Sequence, residues 1–282
     1  MINFKVIFNI LGLLLLIEGI SMFLPFGVSI YFGEGDMAAL GITALISIVV
    51  GALAYLLTKK SDKSIGKREG FIIVSLVWVV FSLFGALPFV ISGYIPSYTN
   101  AFFETISGFT TTGASILNDV EALPHGLLFW RSMTQWLGGM GIIVLSLAIL
   151  PIFRIGGMQL FVAEVPGPTP DKFHPRVKET AKRLWGIYVF FTLAEIILLY
   201  FGGISLFDSV CHGFTTMATG GYSTKQASIA EFSPYVQYVI TLFMFLAGTN
   251  FALSYHGLHF KFNKVFKNEE FRFYSFFIVG FT

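Results

Sequence analysis

Long apolar segments recur along the chain and limit the folds that it can adopt. A helix of about 19 residues is about 28 Å long, which is enough to cross the hydrocarbon core of a bilayer. Hydrophobic residues make up 55% of the chain and charged residues only 12%, a balance that excludes an ordinary soluble domain. The sequence therefore predicts an all-α integral membrane protein. The runs that carry this prediction lie near 6–31, 37–57, 71–92, 127–151, 184–202 and 235–257, with another that starts near 271.

The first apolar run has Lys5 before it and Glu18 within it, and no small-residue cleavage site follows it. We therefore expect an uncleaved first span rather than a secretory signal. An intramembrane carboxyl group is a candidate functional residue. For Glu18, a hydrogen bond to a neighbouring helix, or protonation, is favoured over ion transport. The single cysteine, Cys211, excludes an intrachain disulfide and a cysteine-based metal site.

Two shorter segments, 99–110 and 206–217, interrupt the series of long runs. A helix of about 12 residues reaches about 18 Å, so each segment can enter a membrane but cannot cross it. Each contains the phrase Gly-Phe-Thr-Thr, at 108–111 and at 213–216, and small polar residues and glycine follow. The pattern predicts a re-entrant half-helix and a loop, present twice.

The basic residues test this topology. Sixteen of the eighteen lie on one side of the membrane only if 99–125 and 206–234 return to the side that they left. The positive-inside rule then places the N-terminus and the basic loops in the cytoplasm. The sixteen are Lys5, Lys59, Lys60, Lys63, Lys67, Arg68, Arg154, Lys172, Arg176, Lys178, Lys182, Arg183, Lys261, Lys264, Lys267 and Arg272.

The resulting organisation is a helical pair followed by tandem repeats of span, half-helix and span, two complete and a third just begun. Residues 271–282 are too few to span a membrane, so we expect either a fragment or an end that another subunit stabilises. The predicted divisions are an N-terminal extension at 1–60, a first repeat at 68–152, a cytoplasmic linker at 153–183, a second repeat at 184–258, and a loop with the start of a third repeat at 259–282.

The loops after the half-helices carry the candidate chemistry. Glycine adopts positive φ without steric cost, and non-helical backbone within a membrane can direct carbonyl oxygens at a dehydrated cation. The candidate cation-binding residues are Thr111, Thr112, Gly113, Ala218, Thr219 and Gly220. The residues expected to support them are Ala114, Ser115, Gly221, Tyr222 and Ser223.

Two acidic residues, Glu104 and Asp208, occupy equivalent places early in the two half-helices. They either gather cations at the outer mouth of a pore or are simply favoured in the first turn of a helix. Arg131 and Gln135 open the span after the first loop, and we expect them to support that loop by packing and hydrogen bonds.

These motifs together, with the stretch from Trp130 to Gly141, resemble the TrkH family, the membrane subunits of bacterial Trk potassium-uptake systems, within the Trk/Ktr/HKT superfamily. The resemblance covers essentially the whole chain. It implies four repeats around one pore, K⁺ as the transported ion, and loop glycines matching Gly113 and Gly220. It also implies a bacterial inner-membrane location in contact with lipid, a homodimer, and a cytosolic nucleotide-binding regulatory subunit similar to TrkA. The third and fourth loops of that family have no counterpart in this chain.

The expected function is K⁺ transport through a carbonyl-lined selectivity filter. A Na⁺-permeable or Na⁺-coupled relative remains an alternative, and so does a truncated membrane scaffold that does not conduct. The sequence contains no hydrolase, zinc-protease or nucleotide-binding motif. We therefore expect no enzyme activity, no covalently bound cofactor, no transition-metal site and no nucleic-acid partner.

Overall fold

A computed structural model describes residues 2–59, 67–141 and 177–281, and these ranges contain helices, turns and loops but no strand. The all-α prediction is confirmed. The helices are α1 (Phe4–Ser21), α2 (Phe23–Phe32), α3 (Met37–Thr58), α4 (Lys67–Gly85), α5 (Leu87–Ile91), α6 (Tyr98–Phe109), α7 (His125–Trp136) with a π-helical turn (Leu137–Gly141), α8 (Val177–Phe201), α9 (Leu206–Met217), α10 (Pro234–Ala247), α11 (Phe251–Leu258), α12 (Phe262–Phe266) and α13 (Glu269–Phe281).

Four helical stretches in the described residues are long and apolar enough to cross a membrane. They are Phe4–Phe32, Met37–Thr58, Arg68–Ile91 and Lys182–Phe201. The predicted run 127–151 is described only as far as Gly141, and the predicted linker 153–183 lies outside the described residues up to 176.

The predicted run 235–257 is not one helix, because α10 ends at Ala247 and α11 begins at Phe251. Gly248 has a low helix propensity. A side chain at Gly248 would also overlap with the hydroxyl group of Tyr274 on α13. The Tyr274 side chain of α13 therefore lies against the break between α10 and α11.

The N-terminal helices α1 and α3 cross closely because small residues face one another. A Cβ at Gly12 would lie 2.9 Å from the carbonyl oxygen of Gly51, and one at Gly51 would lie 2.8 Å from that of Gly12. Near one end of the pair, the amide nitrogen of Asn9 donates to the carbonyl oxygen of Tyr55 at 3.1 Å. Close backbone contact and internal hydrogen bonds are the usual means of association between helices in lipid.

The turn between α2 and α3 holds the beginning of α7. Asp36 is buried and accepts a hydrogen bond from the Leu127 N–H at 2.9 Å. The ring of His125 stacks on Phe32, and its Nδ1 lies 2.8 Å from Glu34 Oε1. A carboxylate near the first turn of a helix satisfies free N–H groups and complements the helix dipole. The N-terminal extension thus anchors the helix that follows the first loop.

Helix α7 lies between the two half-helices, α6 and α9, and contacts both. Its Trp130 side chain donates from Nε1 to the Gly85 carbonyl on α4 at 2.9 Å. Its Trp136 side chain donates from Nε1 to Thr192 Oγ1 on α8 at 3.2 Å. The two halves of the described structure therefore share α7 as a central element.

Candidate functional site

The half-helices α6 and α9 are built in the same way. Each has twelve residues and follows a serine that caps its first turn. The hydroxyl oxygen of Ser97 accepts from the Asn100 N–H at 3.4 Å, and that of Ser205 accepts from the Asp208 N–H at 3.0 Å. A serine cap supplies an acceptor for N–H groups that the helix itself leaves free.

The first loop (residues 110–115) and the second loop (residues 218–223) leave the half-helices with the same backbone. Thr111 and Thr219 have positive φ, 53° and 55°, and two residues later Gly113 and Gly221 have φ of 76° and 81°. A positive φ is rare for threonine, so its occurrence at the same step in both loops marks a constrained conformation.

This geometry corrects the alignment of the two copies. Ser97 corresponds to Ser205 and Gly113 to Gly221, so the pairing of Gly113 with Gly220 is off by one residue. Aligning the Gly-Phe-Thr-Thr phrases instead pairs Gly113 with Ala218. That alignment is wrong by about one helical turn. In the first copy the phrase carries the chain out of α6, and in the second it still lies within α9.

Several backbone N–H groups at the start of both loops are directed back at the half-helices. In the first loop, Thr111 donates to the Gly108 carbonyl and Thr112 to the Ser107 carbonyl, both at 2.9 Å. In the second loop, Thr219 donates to the Thr216 carbonyl at 2.9 Å, and Gly220 donates to the Thr215 carbonyl at the same distance.

Most of the loop carbonyls, unlike these N–H groups, have no hydrogen-bond partner among the described residues. Within the described residues, no hydrogen bond reaches the carbonyl oxygens of 110–113 or of 218–222. Buried backbone carbonyls are nearly always paired, and Ala218 and Gly220 are buried. A run of carbonyls without partners, beside N–H groups of which several donate back to the half-helix, is therefore a candidate set of cation ligands.

The two loops touch each other. A Cβ at Gly113 would overlap with the carbonyl oxygen of Gly220, so only glycine fits at this contact. Gln135 from α7 lies behind it, accepts from the Tyr222 N–H at 3.1 Å, and occupies the space beside Gly220. The hydroxyl group of Tyr222 reaches back to the Glu104 carbonyl at 2.7 Å. Gln135 and Tyr222 thus fix the distance between the loops.

A buried ion pair lies next to the contact between the two loops. Arg131 is buried, and its Nε lies 2.7 Å from Glu104 Oε1. Its Nη1 donates to the Ser223 carbonyl at 3.0 Å, and its guanidinium lies 3.5 Å from the ring centre of Tyr222. The carboxylate of Glu104 also accepts from the Ser115 hydroxyl at 2.9 Å. One arginine therefore joins α6, the end of the first loop and the end of the second.

The burial of Glu104 argues against its interpretation as an acid that gathers cations at an outer mouth. Its carboxylate is buried and is used by Arg131, Ser115 and the Ile116 N–H, so no oxygen is left to gather cations.

The corrected alignment also removes the equivalence of Glu104 with Asp208. The equivalent of Glu104 is His212, whose Nε2 lies 2.9 Å from Ser223 Oγ, just as Glu104 lies beside Ser115. The Asp208 carbonyl can only accept, so His212 Nδ1 carries the proton, and Nε2 accepts from the serine hydroxyl.

Asp208 is half-buried at the beginning of α9. Its carboxylate accepts from the hydroxyl groups of Ser205 and Thr224, at 2.7 and 2.6 Å. It therefore ties the segment after the second loop to the start of the half-helix. A role for Asp208 in gathering cations stays a prediction.

Sequence reasoning missed the register of the second loop and the bridging role of Tyr222. The paired serines Ser97 and Ser205 were a usable signal, because a serine before an apolar helix marks an N-terminus. Nothing local in the sequence indicates that Tyr222 reaches α6, since that contact joins residues far apart in the chain.

Comparison with known proteins decides the family. The family model of TrkH, described as a cation transport protein, matches residues 38–277. The chain belongs to the TrkH family. The Trk system potassium uptake protein TrkH of Escherichia coli strain K12 is 43% identical to it over 274 residues, which cover 96% of the chain and 57% of that protein.

Two further relatives extend the family comparison. The Halomonas elongata Trk system potassium uptake protein TrkH is 39% identical over 282 residues, covering 99% of the chain and 58% of that protein. The crystal structure of the potassium transporter TrkH from Vibrio parahaemolyticus superimposes with a TM-score of 0.81 at 36% identity, over 98% of the chain and 57% of that structure. The chain thus spans somewhat more than half the length of the relatives that it matches.

Proposed function

We propose that this chain contributes two of the segments that line a K⁺ path across the membrane. The ligands are the free backbone carbonyls of Thr111, Thr112 and Gly113 and of their structural equivalents Thr219, Gly220 and Gly221. Ala218, which the sequence placed in the second set, corresponds to Thr110 at the end of the half-helix. The observation that carries this proposal is the pair of loops in contact, with bonded N–H groups and free carbonyls.

The choice of K⁺ draws support from the relatives, which are potassium uptake proteins. The C-terminal ends of α6 and α9 lead into the loops, and the partial negative charge at a helix C-terminus favours a cation there. The backbone oxygens are neutral ligands, which suit an alkali cation that must leave the site again.

We further propose the setting that the family resemblance implied. The repeats are 68–152 and 184–258, preceded by the extension 1–60, and the N-terminus and basic loops face the cytoplasm of a bacterium. A second copy of the chain and a cytosolic nucleotide-binding regulatory protein are the proposed partners. Support comes from the one-sided distribution of lysine and arginine and from relatives that are named as parts of a Trk system.

The test is growth of a K⁺-uptake-deficient host on limiting K⁺. The protein, as its gene encodes it, should restore growth, and Gly221→Asp should abolish it, because a carboxylate among the carbonyls would hold a cation too strongly and narrow the path. Gly203→Asp is the matched control, since Gly203 also has positive φ and open space beside it but lies at the end of α8. Growth with Gly221→Asp equal to that with Gly203→Asp would contradict the proposal.

A further inference from the structure

The exits of the two loops, residues 115–117 and 223–225, are held by side chains of the half-helices. At the first exit, the Ser115 hydroxyl donates to Glu104 Oε1 at 2.9 Å, and the Ile116 N–H donates to Glu104 Oε2 at the same distance. Ser115 Oγ also accepts from the Leu117 N–H at 3.2 Å. One carboxylate of α6 therefore holds two successive residues of the exit, and the serine hydroxyl links them to a third.

The second exit has a serine with the same contacts. The Ser223 hydroxyl lies 2.9 Å from His212 Nε2 on α9, and Ser223 Oγ accepts from the Lys225 N–H at 3.0 Å. These three residues follow the serine cap of α9 at the same intervals at which their counterparts follow the cap of α6. The correspondence therefore holds in the register that the serine caps and the positive-φ glycines set.

The contacts of His212 require one tautomer of its ring. Nδ1 lies 2.8 Å from the Asp208 carbonyl oxygen, which can only accept, so Nδ1 carries the proton. Nε2 then accepts the proton of the Ser223 hydroxyl. The side chain is buried, and the ring of Phe232 lies edge-on to it with the ring centres 5.2 Å apart. His212 is therefore a neutral hydrogen-bond acceptor whose direction is fixed.

The second contact of Glu104 has a separate counterpart in the second copy. Thr224 takes the place of Ile116, and its side-chain hydroxyl, rather than its N–H, donates to Asp208 Oδ1 at 2.6 Å. Asp208 thus holds Thr224 with its carboxylate and orients His212 with its carbonyl oxygen. The two contacts that Glu104 makes with one carboxylate are divided between His212 and Asp208.

The charges nearby are consistent with a neutral acceptor at position 212. Arg131 contacts both exits, because its Nε lies 2.7 Å from Glu104 Oε1 and its Nη1 donates to the Ser223 carbonyl at 3.0 Å. One buried guanidinium thus balances one buried carboxylate. The Lys225 ammonium group is paired with Glu121 at 3.3 Å. An imidazole keeps the acceptor at the second exit without adding a buried charge, which would be costly unless it were paired.

We propose that His212 is a positioning residue for the second loop: a neutral imidazole that holds the loop exit by accepting from Ser223. The N–H groups of Thr219 and Gly220 fix the start of the same loop. With both ends held, the carbonyl of Gly221 between them keeps its direction. The proposal rests on the proposed transport function for its effect on ions, but the hydrogen bond itself can be tested without transport.

Substitutions at His212 separate an acceptor from bulk alone. In His212→Gln the amide oxygen can accept from Ser223, because the equivalent Glu104 reaches Ser115 with a side chain of the same length. His212→Leu occupies space but cannot accept. In Rb⁺ uptake by cells, we expect His212→Gln to retain the wild-type KM and the preference for Rb⁺ over Na⁺. His212→Leu should raise the KM or lower that preference about two- to tenfold, the effect of one lost hydrogen bond.

The matched controls are His259→Gln and His259→Leu. His259 is exposed, and its Nδ1 lies 2.9 Å from the Tyr255 carbonyl, as Nδ1 of His212 lies beside the Asp208 carbonyl. Both controls should leave the KM and the ion preference unchanged. Equal changes in His212→Gln and His212→Leu would overturn the proposal, and so would a wild-type KM and ion preference in His212→Leu.

Ser223→Ala is a second and smaller change that removes the donor of the same hydrogen bond. It should alter the KM or the ion preference in the same direction as His212→Leu. Because the two variants remove one shared interaction, their combination should change these quantities by less than the product of the two single changes. Fully multiplicative changes would show that the two residues act independently, which contradicts the proposal.

Nitrogen-15 NMR of the purified protein, labelled at histidine, tests the hydrogen bond without any transport measurement. At neutral pH, a ring with a protonated Nδ1 and an unprotonated Nε2 should be present and should disappear in His212→Gln. If the signals lost in His212→Gln belonged to the other tautomer or to an imidazolium, the inference would be overturned. Absence of Rb⁺ uptake by the wild-type protein would instead contradict the proposed function, so the two failures are distinguishable.

Discussion

Single residues in the two loops carry unequal constraints although their backbones match. Gly113 and Gly221 both have positive φ. The space beside Gly113 is filled by the Gly220 carbonyl, whereas nothing lies within 4 Å of a Cβ at Gly221. The first glycine is therefore required twice, for its backbone and for its contact, and the second for its backbone alone.

Alanine substitution should reveal this difference. Gly221→Ala costs about 1–2 kcal/mol through the left-handed backbone. Gly113→Ala adds the displacement of the second loop, about 1–3 kcal/mol more. Thermal unfolding in detergent should give the order wild type, Gly221→Ala, Gly113→Ala, with Gly203→Ala close to Gly221→Ala. A Gly113→Ala protein as stable as Gly221→Ala would show that the loops do not touch at this point.

Arg131 and Glu104 form a second residue-scale constraint, because both charged side chains are almost fully buried. Arg131→Met leaves Glu104 buried and unpaired, and it should destabilise the protein by about 3–5 kcal/mol. The double variant Arg131→Met, Glu104→Leu removes both charges and should recover part of that loss. Thermal unfolding of both variants checks this. If the double variant were less stable than Arg131→Met, the account of an ion pair would fail.

The half-helices show how far the sequence predicts each element. Segment length and apolar composition predicted the short helices, which the structure has at Tyr98–Phe109 and Leu206–Met217. The predicted register of the second loop was wrong, because a four-residue phrase does not show whether it lies inside a helix or beyond its end. Serine caps and glycines with positive φ locate the ends, since both are required by the backbone.

The serine caps give a prediction at this scale. Ser97→Ala and Ser205→Ala remove equivalent acceptors, so each should lower stability by about 1 kcal/mol. The loss should be the larger for Ser205→Ala, because the Ser205 hydroxyl also donates to Asp208. Thermal unfolding measures both. Ser228→Ala is a control on an exposed turn. A large loss for one cap and none for the other would argue against equivalent half-helices.

At the scale of the whole molecule, both half-helices and their loops lie between the long helices. The charge distribution predicts which connecting segments lie on the outer side of the membrane. Residues 118 and 227 lie on exposed segments that follow the two loops, and residue 264 lies on α12 among the basic residues of 258–272. If both half-helices return to the side that they left, the first two positions are external and the third is cytoplasmic.

Cysteine labelling tests this arrangement. The native Cys211 is buried and should not react. Asn118→Cys and Ala227→Cys should react with a membrane-impermeant maleimide in intact cells, whereas Lys264→Cys should react only after the membrane is opened. Labelling of Lys264→Cys in intact cells would mean that one of the short helices crosses the membrane completely.

The most direct test of the account is Rb⁺ flux into vesicles that contain the purified protein as its gene encodes it. The central claim is that the free carbonyls of the two loops line the ion path. We predict Rb⁺ flux that K⁺ inhibits more strongly than Na⁺, that persists in Gly203→Asp, and that is lost in Gly221→Asp. Undiminished Rb⁺ flux through a correctly folded Gly221→Asp protein would contradict the claim that these loops line the path.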